Sequence, residues 1–200
     1  MIEQALRAVR AGEPVVLPFD TVYGLAADPQ NEDAVRRLYE LKGRAEVHPS
    51  ALVAGDLDHL FECVPELRRL DAVLGRVLPG PVTLIVANPA GRYPWLTGSN
   101  PAAIGIRVPL LEGDTAALLE QVGAVVATSA NHPGGQDPRR LDDVPRDIRE
   151  GAGAVLDGGE LPGTPSTVID LSGEKPRILR EGALSAEEAL RRLGAAVRSG

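Results

Sequence analysis

The chain has 200 residues, 44% of them hydrophobic and only 3% aromatic, with a formal net charge of −7. That length and apolar content suit one domain over residues 1–200, with a core of aliphatic side chains. The acidic balance excludes tight non-specific nucleic-acid binding, no apolar run is long enough to cross a membrane, and a single cysteine, Cys63, excludes an internal disulfide or a cysteine-cluster zinc site.

Ile2, Ala5, Leu6 and Val9 share a helical face that Gly12 brings to a stop. No secretory signal pattern precedes them, so a cytoplasmic protein is expected. Val15–Leu17 reads as a buried strand ending at Pro18, which has no N–H for a ladder. In the stretch that follows, Thr21 and Tyr23 lie two residues apart and would share a face if extended. Gly24 lets another group approach the backbone. A strand end followed by hydroxyls, a carboxylate and a glycine is where open α/β sheets place ligands; turn chemistry at Thr21 and core burial of Tyr23 explain the same residues without one.

Asn31 caps a helix running to about Leu41, and Lys42-Gly43-Arg44 closes it. Two cations there suit a polyphosphate, or simply the negative end of the helix dipole. Exposed cations of this kind are expected to add little stability. Ala51–Val53 is a short strand and Leu57–Glu62 is helical. Pro65 opens a helix carrying Leu67 to Val77, which Pro79-Gly80-Pro81 stops. Val82–Val86 is the clearest strand, 88–102 a loop, and Ile104–Val108 a further strand. Arg107 inside that strand needs an anionic partner, either a ligand or an internal acid.

Thr115–Val122 is helical, and strand Ala124–Thr128 runs into Ser129-Ala130-Asn131, whose polar groups can meet a nucleotide or make side-chain turns. A polar helix from about Asp142 to Arg149 precedes strand Ala154–Leu156. Thr167–Leu171 and Arg177–Leu179 form a closing hairpin, with Ser166 at its start and Arg180 at its end. Ser185 and Glu188 have capping-box spacing for a last helix. Strands and helices alternate without strict βαβ order, so the expected class is α/β with a twisted mixed sheet, parallel and antiparallel, and flanking helices. No Walker-type phosphate loop, dinucleotide-binding glycine motif or nucleophile elbow occurs, and the three histidines lack metal-ligand spacing, so no metal ligands are assigned.

Taken in order, seven pieces resemble the YrdC-like family of threonylcarbamoyl-AMP synthases. They are Pro18-Phe19-Asp20-Thr21-Val22-Tyr23-Gly24-Leu25, Lys42-Gly43-Arg44, Pro79-Gly80-Pro81-Val82-Thr83, Ile106-Arg107-Val108-Pro109, Ser129-Ala130-Asn131, Ser166-Thr167-Val168-Ile169 and Leu179-Arg180-Glu181-Gly182. Each alone is weak; the ordered set is specific and spans nearly the whole chain. The resemblance implies a concave, locally basic active-site surface. It also implies a reaction: threonine and bicarbonate give a carbamate that attacks the α-phosphate of ATP, forming threonylcarbamoyl-AMP and pyrophosphate for tRNA threonylcarbamoyladenosine modification.

By the same resemblance Lys42 and Arg44 act as the catalytic cations on the phosphates, and Arg180, Ser129, Asn131 and His48 contact the nucleotide. Thr21, Arg107 and Ser166 hold threonine, Arg107 on its carboxylate, with Tyr23 beside them. ATP is the co-substrate and Mg²⁺ its companion. The implied partners are downstream tRNA-threonylcarbamoyl transfer proteins and a weak contact with structured tRNA. The chain departs from the family pattern at Ala45-Glu46-Val47-His48-Pro49-Ser50, where Ser50 replaces a packing leucine. Val53 replaces the histidine of some members, and Asp137 a common hydroxyl. The chain is expected to be a short form without the extra C-terminal domain of longer relatives. Two other readings stay open: a non-catalytic nucleotide- or RNA-binding module, and a paralogue acting on another carbamoylated substrate.

Overall fold

The structure, a computed structural model, describes residues 1–43 and 48–194. The described strands are β1 (Val15–Pro18), β2 (Tyr23–Ala27), β3 (Ala51–Ala54), β4 (Val82–Ala87), β5 (Ala103–Arg107), β6 (Ala124–Ser129), β7 (Ala154–Val155), β8 (Thr167–Asp170) and β9 (Arg177–Arg180). They form one sheet in the order β7-β1-β2-β6-β3-β5-β4-β8-β9. The β1/β7, β3/β5 and β4/β8 pairs are parallel and the other neighbours antiparallel. The expected mixed α/β sheet is what forms.

The sheet sorts its side chains by alternation. On one face Val16, Leu25, Leu52, Leu84, Ile106 and Val126 meet helices α2 (Glu32–Lys42), α3 (Leu57–Cys63), α4 (Asp71–Leu74), α6 (Arg146–Gly151) and α7 (Ala186–Leu193). On the other, Val15, Leu17, Ala26, Val53 and Val125 meet α1 (Ile2–Arg10) and α5 (Gly113–Val122). These two helices cover only part of that second face, from β7 as far as Val53 on β3. Across β4 its outward residues Thr83, Ile85 and Ala87 are half-buried, as are Val168 and Asp170 of β8. That uncovered part of the sheet is the floor of the site.

Three expectations are corrected. Pro18 is inside β1, and residues 19–22 turn tightly so that β2 returns antiparallel, with Pro18 opposite Tyr23. Thr21 lies in the turn and Tyr23 on the strand, so the two do not share a face. The helix expected from Pro65 to Val77 is a 3₁₀ turn over Pro65–Leu70 followed by the single turn α4. The polar helix expected from Asp142 splits into a 3₁₀ turn, Leu141–Asp143, and α6. Val144, extended at φ −68° and ψ 127° ahead of Pro145, makes that break.

Candidate active site

The open floor is paved with small residues because the register puts them side by side. Gly24 pairs with Ser129, Ala51 with Ala127, and Ala51 with Gly105. A hollow of about 230 Å³ opens over this floor, walled by Thr21, Arg107, Ser129, Asp137, Ser166 and Arg180. A second cavity of about 230 Å³ adjoins it. The two share Pro49, Ser50, Ala51, Thr83 and Val168, and Ile85 and Ala103 make the second a largely apolar slot. A larger groove of about 650 Å³ lies elsewhere and carries Asp56, Asp58, Asp71 and Glu120 against Arg68, a net acidic lining that disfavours anions.

Arg107, at the end of β5, reaches the hollow from a position only 9% exposed. Its Nη2 donates to Asp20 and, at 2.8 Å, to Thr21 Oγ1. The guanidinium lies 5.8 Å from the centre of the Phe19 ring. Asp20 also accepts the Leu110 N–H at 3.0 Å, which pins the turn to the segment after β5. The internal acid that a buried strand arginine requires is therefore Asp20. Burial pulls the Arg107 pKa below the usual arginine value while Asp20 opposes the shift. Its Nε is buried and has no hydrogen-bond partner among the described residues. Gly24 makes room for this assembly, since a Cβ there would lie 2.5 Å from Phe19 Cε2.

Across the floor, Arg180 at the end of β9 donates from Nε and Nη2 to the Ser166 carbonyl at 3.1 and 2.8 Å, and from Nη2 to Ser166 Oγ at 3.3 Å. Ser166 Oγ lies 2.8 Å from Thr83 Oγ1. Thr167 straps the following loop, accepting the N–H groups of Gly182 and Leu184 and donating to the Leu184 carbonyl. The hairpin end that carries Arg180 is held by this strap. In the sequence Thr167 marks a strand start; its structural task is visible only once β8 and the 182–184 loop are adjacent.

Lys42 differs from its expected place. It is only 4% exposed. Its Nζ donates to the Ser129 carbonyl at 2.5 Å, the Asn131 carbonyl at 2.8 Å and Asn131 Oδ1 at 2.9 Å. Asn131 Oδ1 also accepts from Ser129 Oγ at 2.7 Å, and Asn131 Nδ2 donates to the Gly135 carbonyl at 2.8 Å. Lys42, Ser129 and Asn131 thus form one network that shapes the loop after β6. Within it Ser129 stands on the hollow's wall, and neither Lys42 nor Asn131 does.

His132 joins the same region, its Nδ1 3.2 Å from the Lys42 carbonyl and its Nε2 3.0 Å from Asp147 Oδ2. The Lys42 carbonyl, then Asp147, raise its pKa. Tyr23 is fully buried on the far side of the sheet; its hydroxyl lies 2.9 Å from Asp157 Oδ1 and 2.8 Å from the Gly159 carbonyl, and accepts the Gly158 N–H at 3.0 Å. Burial, then Asp157, push its pKa up to about 12. His48 is exposed and outside the hollow's wall, and Arg44 lies outside the described residues. The structure therefore brings Thr21, Arg107, Ser129, Ser166 and Arg180 together, and turns Tyr23 away.

A family profile described as telomere recombination, Sua5/YciO/YrdC, matches residues 7–182. The threonylcarbamoyl-AMP synthase of Bacillus subtilis is 32% identical over 94% of this chain, which spans 55% of that protein. A putative threonylcarbamoyl-AMP synthase of Mycobacterium tuberculosis is 32% identical over 96% of this chain and 89% of its own length. Among solved structures, Pyrococcus abyssi Sua5 complexed with L-threonine superposes with a TM-score of 0.83 at 32% identity, covering 96% of this chain and 57% of that one. The chain spans little more than half of the Bacillus and Pyrococcus proteins.

Proposed function

The chain belongs to the Sua5/YciO/YrdC family, and on that premise we propose that it condenses threonine, bicarbonate and ATP into threonylcarbamoyl-AMP with release of pyrophosphate. The observation that carries this reading is the hollow itself, where Arg107 and Arg180 face one floor and Arg107 keeps a buried, unpartnered Nε. An orphaned charged donor of that kind fits an incoming carboxylate.

In this reading Arg107, Thr21 and Ser166 hold threonine. Arg180 and Ser129 receive the triphosphate; the further nucleotide contacts at Arg44 and His48 rest on the family resemblance alone. The apolar slot takes the base. Lys42 and Asn131 act by holding the Ser129 loop in shape, and Tyr23 by bracing β2 against the 157–159 loop. The threonine nitrogen takes up bicarbonate carbon with loss of water. A carbamate oxygen then bonds to the α-phosphorus as the bond to the β-phosphate oxygen breaks and pyrophosphate leaves. The protein's contribution is to bring two anions together against their repulsion and orient them.

Magnesium would enter with the triphosphate, where such an ion keeps most of its waters and takes one or two carboxylates. Asp137, the carboxylate on the hollow's wall among the described residues, fits that need. The ion would supply charge neutralisation for the departing pyrophosphate. Transfer to tRNA belongs to other proteins, and the net charge of −7 leaves room for only weak contact with tRNA itself. No described helix is long and apolar enough to cross a membrane.

The test is pyrophosphate release from ATP and bicarbonate with and without threonine. Release that requires threonine supports the reading. Release independent of threonine points to another carbamoylated substrate, and nucleotide binding without turnover to a binding module; either result overturns it.

A further inference from the structure

Two buried polar atoms of residues on the hollow's wall, Arg107 Nε and Ser50 Oγ, have no hydrogen-bond partner among the described residues. The first is accounted for by a substrate carboxylate. The second has no task in anything described so far. Ser50 is 5% exposed, and its N–H is anchored to the Leu96 carbonyl at 3.0 Å, so its backbone is fixed while its hydroxyl is idle. A buried hydroxyl left without a partner is destabilising, and such groups in folded proteins call for a cause.

Its position supplies one. Ser50 is shared by the polar hollow and the apolar slot, at their junction. In a nucleotide the ribose joins the apolar base to the charged phosphates, so a ligand with its base in the slot and its phosphates in the hollow sets its ribose at that junction. We propose that the Ser50 hydroxyl is a ribose-binding group, held unpartnered in the empty site and hydrogen-bonded to a ribose hydroxyl when a nucleotide is bound. Rotation about the serine Cα–Cβ bond between staggered wells is enough to turn the hydroxyl toward the ligand. The inference rests on the reading above, which places a nucleotide across the two cavities.

The experiment is calorimetric titration of ATP, 2′-deoxy-ATP and 3′-deoxy-ATP into the wild-type protein and Ser50→Ala, with thermal melts of both proteins. Ser50→Ala should weaken ATP roughly two- to tenfold, the worth of one neutral hydrogen bond. It should melt no lower than wild type, because it removes a buried group that had no partner. One deoxy analogue should bind wild type more weakly by about the same factor, and Ser50→Ala should not distinguish that analogue from ATP. Equal ATP affinity in the two proteins, or the same loss for each analogue in both, overturns the ribose contact alone. Failure of the wild-type protein to bind ATP at all overturns the contact together with the reading beneath it.

Discussion

Arg107 and Asp20 stand 87 residues apart in sequence and meet as a buried ion pair, their side chains 11% and 9% exposed. The pair fixes the guanidinium through Nη2, and Nε has no hydrogen-bond partner among the described residues. Under the proposed function, Asp20 is a positioning residue for the group that would hold the threonine carboxylate. Asp20→Asn retains an acceptor and removes the charge; it should raise the threonine KM severalfold and leave the ATP KM nearly unchanged. Arg107→Ala should cost threonine binding about 1.5–3 kcal/mol and cost the fold about 3–5 kcal/mol, because Asp20 is left buried and unpaired. Steady-state kinetics and chemical denaturation check the two effects separately. Equal losses for threonine and ATP in Arg107→Ala would reject its assignment.

Lys42 yields a prediction opposite to the one its sequence context suggests. A cation at a helix end ordinarily adds little stability, but this one is buried and faces three oxygen acceptors. Lys42→Met should lower stability by at least about 2 kcal/mol, since charged hydrogen bonds are lost and carbonyls are left unsatisfied. Nucleotide affinity should fall with it as the Ser129 loop relaxes. A melting temperature equal to that of wild type would show that the network carries no structural weight.

Gly24→Ala tests how closely the floor is built. The new Cβ would lie 2.5 and 2.8 Å from the Phe19 ring carbons, which must move, and Arg107 sits over that ring. Overpacking of this kind costs about 1–3 kcal/mol. Threonine affinity should drop more than ATP affinity, because the ring lies on the Arg107 side of the hollow. Titration of each ligand into the variant measures the difference.

His132 gives the fold a dependence on pH. Protonated, it donates to the Lys42 carbonyl and to Asp147, and these partners raise its pKa. A pKa raised on folding contributes stability that is complete below the unfolded value, about 6.5, and is lost as the pH climbs through the folded value. Wild type should therefore lose stability relative to His132→Gln across that rise. Thermal melts of both proteins from pH 6 to pH 8.5, roughly the range a histidine spans, read the effect. Parallel curves would contradict it.

Much of this architecture was legible in the chain because runs of β-branched and aliphatic residues mark β4, β5 and β6 and caps mark α2 and α7. Asn31 accepts from the Ala34 N–H and Ser185 from the Glu188 N–H, as their spacing suggested. β2 was not legible: all five of its residues are buried, so Tyr23-Gly24-Leu25-Ala26-Ala27 shows no polar alternation. The turn at 19–22 then defeated any inference about which side chains share a face. Arg107 announced that it needed an anionic partner, a ligand or an internal acid, yet only the turn between β1 and β2 brings Asp20 to it. Burial of Lys42 ran against the general rarity of buried lysines, and its acceptors are mostly backbone carbonyls, which carry no mark in a sequence.

The most direct measurement is the fate of labelled carbon. The protein is incubated with ATP, threonine and ¹³C-bicarbonate, and the nucleotide products are weighed by mass spectrometry. Wild-type protein should form an adenylate carrying both threonine and a single labelled carbon, and Arg107→Ala much less of it. Formation of AMP or ADP alone, with no labelled adduct from the wild-type protein, would contradict it.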